Sequence, residues 1–451
     1  MIDTMADEAY SKSHEPNAAR EKIMANLKKA YKTIVNDHFP KEMTITFGDQ
    51  TLKYKKRTWS MDEDGTPVER GLRYGENPGQ EAALYELTGG NLTLGQCKFI
   101  DPNCGLVSSL DESMLLQFGK HPGKINLTDI DSALNIIKYL MDTPAAAVMK
   151  HNNPSGVAMG ESSADAIEKA FMADRLAAMG GCVAVNRPLD KAAAEFLAKN
   201  FVEVVVAPAY EEGAIELLKS NKNLRIVEIP RIERLAEYKS VTSLEFKSLI
   251  DGGLIVQHSP TSKINSPADF IPATSGGKKS PISCERTPTD AEYRDLIFGW
   301  NVELGVTSNS VLFVKDGVTV AIGTGEQDRV GCAEIAVQKA YTKHMDRICF
   351  ERHGVPYNIL KLEVEQKKRN AKDIEIINAT TKEAKGGLIG SCMISDGFFP
   401  FRDGVDVGIN QGIAAVAQPG GSIRDREIIE ACNEANPKVA MVFTGQRAFK
   451  H

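Results

Sequence analysis

AVMKHNNPSGVAMGE (residues 147–161) is the stretch on which the interpretation of this chain depends. An apolar run ends at Lys150, a polar turn follows, and a second apolar run leads to a glycine. LFVKDGVTVAIGTGE (312–326) has the same shape, with Lys315 at the point equivalent to Lys150, an offset of 165 in the numbering. Two strand–turn–strand segments of one shape predict an internal duplication.

The similarity continues downstream of these hairpins. We align Gly160 with Gly323, an offset of 163. Two further pairs have offsets of 210 and 211: CVAV (182–185) with CMIS (392–395), and VVVAP (204–208) with AVAQP (415–419). The second copy should therefore contain an insertion of nearly 50 residues. Chance similarity between α/β units is the alternative explanation.

From about residue 125 onward, helical periodicity alternates with short apolar runs. Residues 126–141 and 164–179 predict helices, whereas residues 145–150 and 202–207 read as buried strands. This alternation is typical of α/β proteins, in which helices cover both faces of a sheet. The fold class that we predict is therefore α/β.

The composition is that of a large globular protein. The 451 residues are 42% hydrophobic and 25% charged, with a formal net charge of -6. This length predicts two or three domains, and the mild acidity argues against a nucleic-acid partner. No apolar run approaches the roughly 18 residues of a membrane span. The eight cysteines are scattered, which indicates free thiols. We predict a soluble cytoplasmic protein with no nucleic-acid or membrane partner.

Residues 1–65 are predicted to form an extension. An apolar stripe from Ile23 to Ile34 predicts a helix, whose basic face is better explained by solvent exposure than by nucleic acid. Residues 43–54 alternate around Gly48 and Asp49, as in a β-hairpin. MDEDGTPVER (61–70) is predicted to be a linker.

Four polar stretches carry chemistry. LRYGENPGQ (72–80) offers an arginine fork for a phosphate beside an aromatic ring. KHNNPSG (150–156) places a histidine, the usual general base near neutral pH, next to a lysine that can stabilise an anion. SDGFFPFRDGVD (395–406) combines aromatic planes with a carboxylate, and QPGGSIRDREII (418–429) is a glycine-rich helix start. A surface loop or a capped turn is the alternative for each stretch taken alone.

Several mechanisms are not supported by the motifs. No Walker loop, G-x-S-x-G elbow or H-E-x-x-H pair occurs, and no H-x-E is partnered with P-C-x-x-C. A zinc nucleobase deaminase and a nucleotide-binding P-loop are therefore not predicted.

Taken together, the motifs resemble one family, the formyltransferase part of the bifunctional purine-biosynthesis proteins, known as AICAR transformylase. The resemblance runs in order from about residue 70 to the carboxyl end. The motifs that carry it are LRYGENP, KH-x-x-P-x-G, GGLIVQ (252–257), TSNS (307–310), SDGFFPFRDGVD, QPGGSIRD and TGQRAF.

The resemblance implies a fold of two tandem cytidine-deaminase-like α/β units without zinc, preceded by a short helix and hairpin. On this basis residues 1–65 are the extension, residues 66–270 the first unit and residues 271–451 the second. It also implies a homodimer with active sites at the subunit interface. Relatives carry an additional amino-terminal IMP cyclohydrolase domain, whereas in this sequence only the short extension is predicted before the first unit. We therefore expect a stand-alone transformylase that works with a separate IMP cyclohydrolase.

The reaction implied is transfer of the formyl group of 10-formyltetrahydrofolate, the cosubstrate, to the 5-amino group of AICAR. His151 would take the amine proton, Lys150 would stabilise the developing charge, and Asn309 would orient the reacting groups. The resemblance implies AICAR contacts at Arg73, Tyr74, Gly180, Glu203, Arg329, Phe398 and Arg447. It implies folate contacts at Val330, Asp403, Ser422 and Ile423. A bound monovalent cation such as potassium is compatible with this family.

The chain departs from the family pattern at Gly79, at Gly404 and in the segment before Asn309 (ELGVTSN), which lacks lysines that many relatives have there. Gly79 stands where a histidine is common, and Gly404 follows the folate-side aspartate where relatives carry a polar side chain. These departures affect affinity rather than the reaction. The competing hypothesis is a non-catalytic ribonucleotide-binding relative of the same fold, which would be expected to have lost Lys150 or His151.

Overall fold

The computed structural model describes residues 29–97, 100, 105–276 and 280–451. Residues 23–28 of the helix predicted between Ile23 and Ile34 lie outside these residues; of the remainder only Lys29 and Ala30 are helical, so the prediction is wrong for Tyr31 and Ile34. The strands of the described residues are β1 (Glu42–Phe47), β2 (Gln50–Arg57), β3 (Trp59–Glu63), β4 (Thr66–Arg70), β5 (Leu84–Gly90), β6 (Leu115–Gln117), β7 (Ala145–Lys150), β8 (Asn153–Met159), β9 (Cys182–Val185), β10 (Val204–Ala207), β11 (Arg225–Glu228), β12 (Leu244–Ser248), β13 (Leu254–His258), β14 (Ile271–Pro272), β15 (Thr274–Ser275), β16 (Ile282–Ser283), β17 (Ser310–Lys315), β18 (Val318–Thr324), β19 (Cys392–Ser395), β20 (Ala415–Gln418) and β21 (Ala440–Phe443).

Helices surround these strands. Those of the described residues are α1 (Lys124–Ile137), α2 (Ser163–Ala173), α3 (Arg175–Ala178), α4 (Lys191–Ala198), α5 (Ala214–Lys219), α6 (Leu235–Tyr238), α7 (Asp290–Glu303), α8 (Arg329–His353), α9 (Tyr357–Glu365), α10 (Ala371–Glu383), α11 (Asp403–Ile409) and α12 (Asp425–Glu434). None of them is long and apolar enough to cross a membrane. The α/β class is confirmed.

One mixed sheet of twelve strands organises the chain, in the order β14-β21-β20-β19-β17-β18-β8-β7-β9-β10-β11-β6. Successive side chains of its strands point to opposite faces, and both faces are buried. Helices α1 and α7 cover one face, over a core cluster that contains residues from both halves of the sheet. The other face has two separate clusters, one under α2, α4 and α5 and one under α8, α11 and α12.

The two halves of this sheet repeat each other. Strands β7 to β11 and β17 to β21 follow the same order outward from the centre, each set ending in a short antiparallel edge strand. The strand bounds confirm the offsets of 210 and 211 in the numbering. The offset of 163 at Gly160 and Gly323 is wrong, because β7–β8 and β17–β18 keep a constant offset of 165 through two-residue turns of equal length.

The insertion in the second half is where the offsets predict it. The connection from β18 to β19 spans 325–391, whereas the shorter connection from β8 to β9 spans only 160–181. The longer connection contains α8, α9 and α10. These helices form a small core of their own around Ile348, Cys349, Leu360 and Ile377. In the first half, the helix predicted over residues 164–179 is interrupted at Asp174, which separates α2 from α3.

The halves meet at a narrow seam between β8 and β18. Among the described residues, only Val318 and Ala158 pair across it as strand residues. The hydroxyl of Thr319 extends the pairing, because Oγ1 accepts from the Val157 amide at 3.0 Å and lies 3.3 Å from the Val157 carbonyl oxygen. The sheet is therefore continuous across the seam, although few backbone bonds of the described chain cross it.

The amino-terminal region forms two further sheets. The predicted hairpin is present as β1 and β2, and β5 completes a three-stranded sheet, so this sheet includes residues on both sides of residue 65. The predicted linker over 61–70 is wrong, since β3 and β4 form a hairpin there. Asp64 and Gly65 both have positive φ, as a two-residue type I′ turn requires. The fully buried Trp59 anchors this hairpin by donating to the Leu110 carbonyl oxygen at 3.1 Å.

Candidate functional site at one edge of the sheet

The polar residues predicted from the sequence lie along one edge of the large sheet. This edge is formed by the ends of the strands and not by an edge strand. Strand β7 ends at this edge with Lys150, and β17 begins there, directly after Asn309. The two strands run in opposite directions because β8 and β18 lie between them in antiparallel order. The same edge therefore holds the starts of β9 and β10, near Gly180 and Glu203, and the ends of β19 and β21.

A cavity of about 370 Å³ opens at this edge in the first half. It brings together six of the predicted residues, namely Arg73, Tyr74, Lys150, His151, Gly180 and Glu203. Lys150 donates from Nζ to the Met179 carbonyl oxygen at 2.9 Å. This cavity has a volume typical of small-molecule sites.

His151 is exposed and lies at the first position of a tight turn. Both His151 and Asn152 have positive φ (+56° and +62°), a conformation that asparagine and histidine tolerate better than most residues. The Asp129 carboxylate holds the turn by accepting from the Asn152 amide at 2.7 Å. Burial raises the pKa of Asp129 above its ordinary value. The turn places His151 in the lining of the cavity while leaving it open to solvent.

Two arginines give the cavity a site for an anion. The Arg73 guanidinium lies 4.5 Å from the centre of the Tyr74 ring, and Arg73 is almost fully buried. Arg225, the first residue of β11, is 2% exposed and lines the same cavity. Its Nε and Nη2 have no hydrogen-bond partner among the described residues, and neither does Nε of Arg73. Burial, followed by the charge of Arg73, lowers the pKa of Arg225 to about 10. Buried cationic donors without partners fit a phosphate or carboxylate.

A second cavity, of about 360 Å³, opens in the second half and is lined by Asn309, Arg329, Phe398 and Arg447. Arg329 donates from Nη2 to Asn309 Oδ1 at 2.9 Å. The Arg447 guanidinium lies 5.5 Å from the centre of the Phe398 ring. These residues, predicted from the sequence alone, therefore also occur together, but in a different cavity from Lys150 and His151.

Asp396 fixes the second cavity. Its carboxylate, fully buried directly after β19, pairs with Arg329 and accepts from Ser308 Oγ and from the Ser310 amide. The fully buried Glu303 lies close to the Ser310 hydroxyl and to the Arg329 guanidinium. Burial raises the pKa of Glu303 to about 8. Burial also lowers the pKa of Arg329.

The four predicted folate residues are not brought together in either cavity. Val330 lies in the first turn of α8 and Asp403 begins α11, whereas Ser422 and Ile423 lie in the loop before α12. Ile423 is completely exposed. The loops before α11 and α12 do contact each other, because the Arg424 guanidinium lies 4.7 Å from the centre of the Phe401 ring.

Two functional candidates, Arg225 and Asp396, were missed in the sequence. Arg225 starts a buried strand, where an arginine is unusual, and Asp396 follows a buried strand in the quoted SDG motif. Those local signals do not identify partners, which come from distant parts of the chain. Within the described ranges, no group of three or more histidine, cysteine, aspartate or glutamate side chains could hold a metal ion.

The fold and site define an α/β protein with a duplicated sheet and a lysine–histidine turn beside a cavity lined by two buried arginines. The sequence profile of the family described as AICARFT/IMPCHase bienzyme matches residues 3–339. The chain belongs to this family.

Curated relatives carry the name bifunctional purine biosynthesis protein PurH. The protein from Magnetococcus marinus is 36% identical over 384 residues, which cover 85% of this chain and 59% of the relative. That from Persephonella marina is 35% identical over 418 residues, 92% of this chain and 62% of the relative. The chain thus spans about three fifths of the length of these relatives.

Proposed function

We propose that this chain transfers the formyl group of 10-formyltetrahydrofolate to the 5-amino group of AICAR, forming formyl-AICAR and tetrahydrofolate in purine biosynthesis. The observation that carries the proposal is the Lys150–His151 turn at the mouth of a cavity that also holds Arg73 and Arg225. A base, an anion stabiliser and a phosphate site are what this reaction needs in one place. Family membership supports the same reaction.

In the proposed mechanism, the AICAR amine attacks the formyl carbon while the His151 imidazole takes the amine proton. Negative charge develops on the formyl oxygen, and the Lys150 ammonium stabilises it. The carbon–N10 bond of the folate then breaks, N10 takes a proton, and tetrahydrofolate leaves. The Lys150 ammonium has three N–H donors, so it can keep its bond to the Met179 carbonyl oxygen and also donate to the transition-state oxyanion, a contact made only in the chemical step. Asn309 would orient the reacting groups.

The ribonucleotide would be held mainly by its phosphate and its ring. Arg73 and Arg225 offer unpartnered buried donors for the phosphate, and Tyr74 supplies an aromatic face. Glu203 lines the same cavity, with Oε2 3.5 Å from Nη1 of Arg225, and is proposed to contact the ribose or base. The remaining proposed AICAR contacts are Gly180, Arg329, Phe398 and Arg447, and the proposed folate contacts are Val330, Asp403, Ser422 and Ile423.

We infer a homodimer from the division of the site. Lys150 and His151 line one cavity, whereas Asn309, Phe398 and Arg447 line another. A second copy of the chain that brings the second cavity against the first would complete two equal sites, as a two-fold dimer does. The cytidine-deaminase-like character of the two units, and boundaries at residues 1–65, 66–270 and 271–451, belong to the same proposal.

The proposal includes a monovalent cation such as potassium, bound by hard oxygen ligands. Asn301 Oδ1 is a buried oxygen atom without a hydrogen-bond partner among the described residues, and an oxygen of this kind could serve as one ligand of such an ion. Turnover in potassium salts should exceed turnover in tetramethylammonium salts of equal ionic strength.

The competing function, a non-catalytic ribonucleotide-binding relative, is disfavoured because Lys150 and His151 are both present and line the cavity. One assay separates the two. The purified chain is mixed with AICAR and 10-formyltetrahydrofolate, and tetrahydrofolate and formyl-AICAR are followed. Binding of AICAR without tetrahydrofolate release would contradict the transferase. Chromatography of the same mixture, with and without an added IMP cyclohydrolase, tests our expectation that ring closure to IMP needs the separate enzyme.

A further inference from the structure

The loop that receives the Lys150 ammonium is held on its carboxyl-terminal side by the segment that leads into β10, where the Gly180 amide donates to the Phe201 carbonyl oxygen at 2.8 Å and the Gly181 carbonyl oxygen accepts from the Glu203 amide at 3.0 Å. Met179, Gly180 and Gly181 connect α3 to β9 and line the first cavity. The loop follows α3, a single turn of four residues, and one turn of helix is not stable in isolation. Asp174 begins this turn by accepting from the Ala177 amide at 3.0 Å. On the amino-terminal side of the loop, the position of the Met179 carbonyl oxygen therefore depends on what holds residues 174 and 175.

Both of these residues are held by the second half of the chain, through α8. Arg175 donates from Nε and Nη2 to Asp346 Oδ2, at 3.1 and 2.8 Å, and its guanidinium lies 4.1 Å from the centre of the Phe350 ring. Lys343 Nζ lies 2.9 Å from Asp174 Oδ1. Positions 343, 346 and 350 share one face of a helix.

The central ion pair of this contact is buried. The side chains of Arg175 and Asp346 are each 5% exposed. The other Asp346 oxygen accepts from the Tyr357 amide at 3.0 Å, which ties the start of α9 to the same carboxylate. A buried pair that fills its remaining hydrogen-bond positions fixes geometry more than an exposed pair does.

The part of α8 that makes these contacts has no equivalent in the described first half. Helix α2 occupies the repeat position of α8 but has 11 residues, whereas α8 has 25. The three contacting positions, 343, 346 and 350, all lie in the additional length. The additional length of α8 therefore makes a contact with α3 that is not part of the repeated unit.

We propose that the additional length of helix α8 is a clamp, made by Lys343, Asp346 and Phe350, that positions the α3–Gly181 loop and through it the Lys150 ammonium. This proposal rests on the proposed function, in which Lys150 stabilises the transition state. The clamp residues are positioning residues, because they act through Met179 and not on the substrate. The insertion in one half of the chain thereby sets the geometry of the site in the other half.

The test uses Asp346→Asn and Lys343→Met in the full chain, with Glu351→Gln as the control on the exposed face of α8. Lys343 is partly exposed, so its variant serves even if Asp346→Asn does not fold. Amide hydrogen exchange over residues 174–181 should accelerate in both variants and not in the control. The kcat for formyl transfer should fall about tenfold, as expected when a catalytic group is displaced.

Repeating the clamp substitutions in a chain that lacks the Lys150 ammonium distinguishes a loss of positioning from a general disturbance of the fold. In a Lys150→Ala chain, the clamp variants should cause less than about a twofold further loss, because the group they position is absent. An equal fold-loss in both backgrounds would overturn the proposal, as would faster exchange with unchanged kcat. If the unaltered chain transfers no formyl group, the proposed function fails. Amide hydrogen exchange over residues 174–181 then tests the clamp independently of activity. Exchange that is unchanged in both variants would reject the clamp.

Discussion

Lys150 and Lys315 occupy equivalent positions in the two halves of the sheet and make the same contact. Each lysine ends the first strand of a hairpin and donates from Nζ to a backbone carbonyl oxygen at 2.9 Å, that of Met179 for Lys150 and that of Ile389 for Lys315. The contact is therefore a property of the repeated unit. What distinguishes the first half is the residue that follows, His151, where the second half has Asp316.

This equivalence provides a matched pair of variants. Lys150→Ala should lower kcat at least about 100-fold, the scale for removing a preorganised charge-stabilising donor. Lys315→Ala should change kcat by less than about twofold, although it removes the same carbonyl contact and should cost similar stability. Steady-state kinetics and thermal melting of both proteins provide the comparison. Equal losses of kcat would mean that the lysine contact is only structural.

His151 can be tested without disturbing its turn. His151→Asn retains a residue that tolerates positive φ, so the hairpin should keep its shape. Turnover should fall at least about 100-fold, because the general base is gone, while AICAR still binds. Asp316→Asn, at the equivalent turn, is the control and should remain active. Near-normal turnover of the histidine variant would reject its role as the base.

Mixing experiments test whether the two cavities join across a dimer. Lys150→Ala and Arg447→Ala chains should each be nearly inactive. After the two are unfolded and refolded together in equal amounts, about one quarter of the unaltered activity should return, since half the dimers are mixed and each has one intact site. Activity that stays at the level of the separate variants would place each site within one chain.

His344 should make the inserted helices sensitive to acid. Burial, followed by the charge of Arg347, lowers the pKa of His344 to about 4, and its Nδ1 lies 3.1 Å from Thr381 Oγ1. The unfolded chain takes up this proton at about pH 6.5, whereas the folded chain does so only near pH 4. The unfolded state thus binds more protons between these values, and stability falls as the pH drops through this window.

The matching experiment is urea unfolding of the unaltered protein and of His344→Gln between pH 4 and 7.5. The difference in unfolding free energy between the two should shift in favour of the variant as the pH falls below about 6.5, and should level off near pH 4. A difference that is independent of pH would show that His344 titrates normally.

Local sequence signals predicted much of the fold. The apolar run at 145–150 coincides with β7, and the offsets located the insertion that holds α8. The hairpin at 61–70 was missed although Asp64 and Gly65 are a strong turn signal, because the charged residues around them suggested a linker. No proline or glycine causes the helix to break at Asp174. The Asp174 side chain pairs with Lys343, which lies far along the chain, so the local sequence does not predict the break.

For the candidate site, motif residues were predicted and their supporting residues were not. Arg73, Lys150 and His151 stand in recognisable turns, and they do line one cavity. Arg225 and Asp396 lie at strand ends, and their importance depends on contacts between segments that only the folded sheet brings together. Sequence reasoning lacks that information because buried electrostatic partners are not encoded by spacing.

The core layer under α1 and α7 has a consequence for how the molecule melts. The seam between the described halves has a single strand pair, and the sheet face opposite α1 and α7 has two independent core clusters. These two features alone would allow each half to unfold separately. The shared layer removes that option, because neither half can open without exposing apolar side chains of the other, such as Trp300 and Ile136. We therefore expect the two halves of the large sheet, although they are copies of one unit, to unfold together.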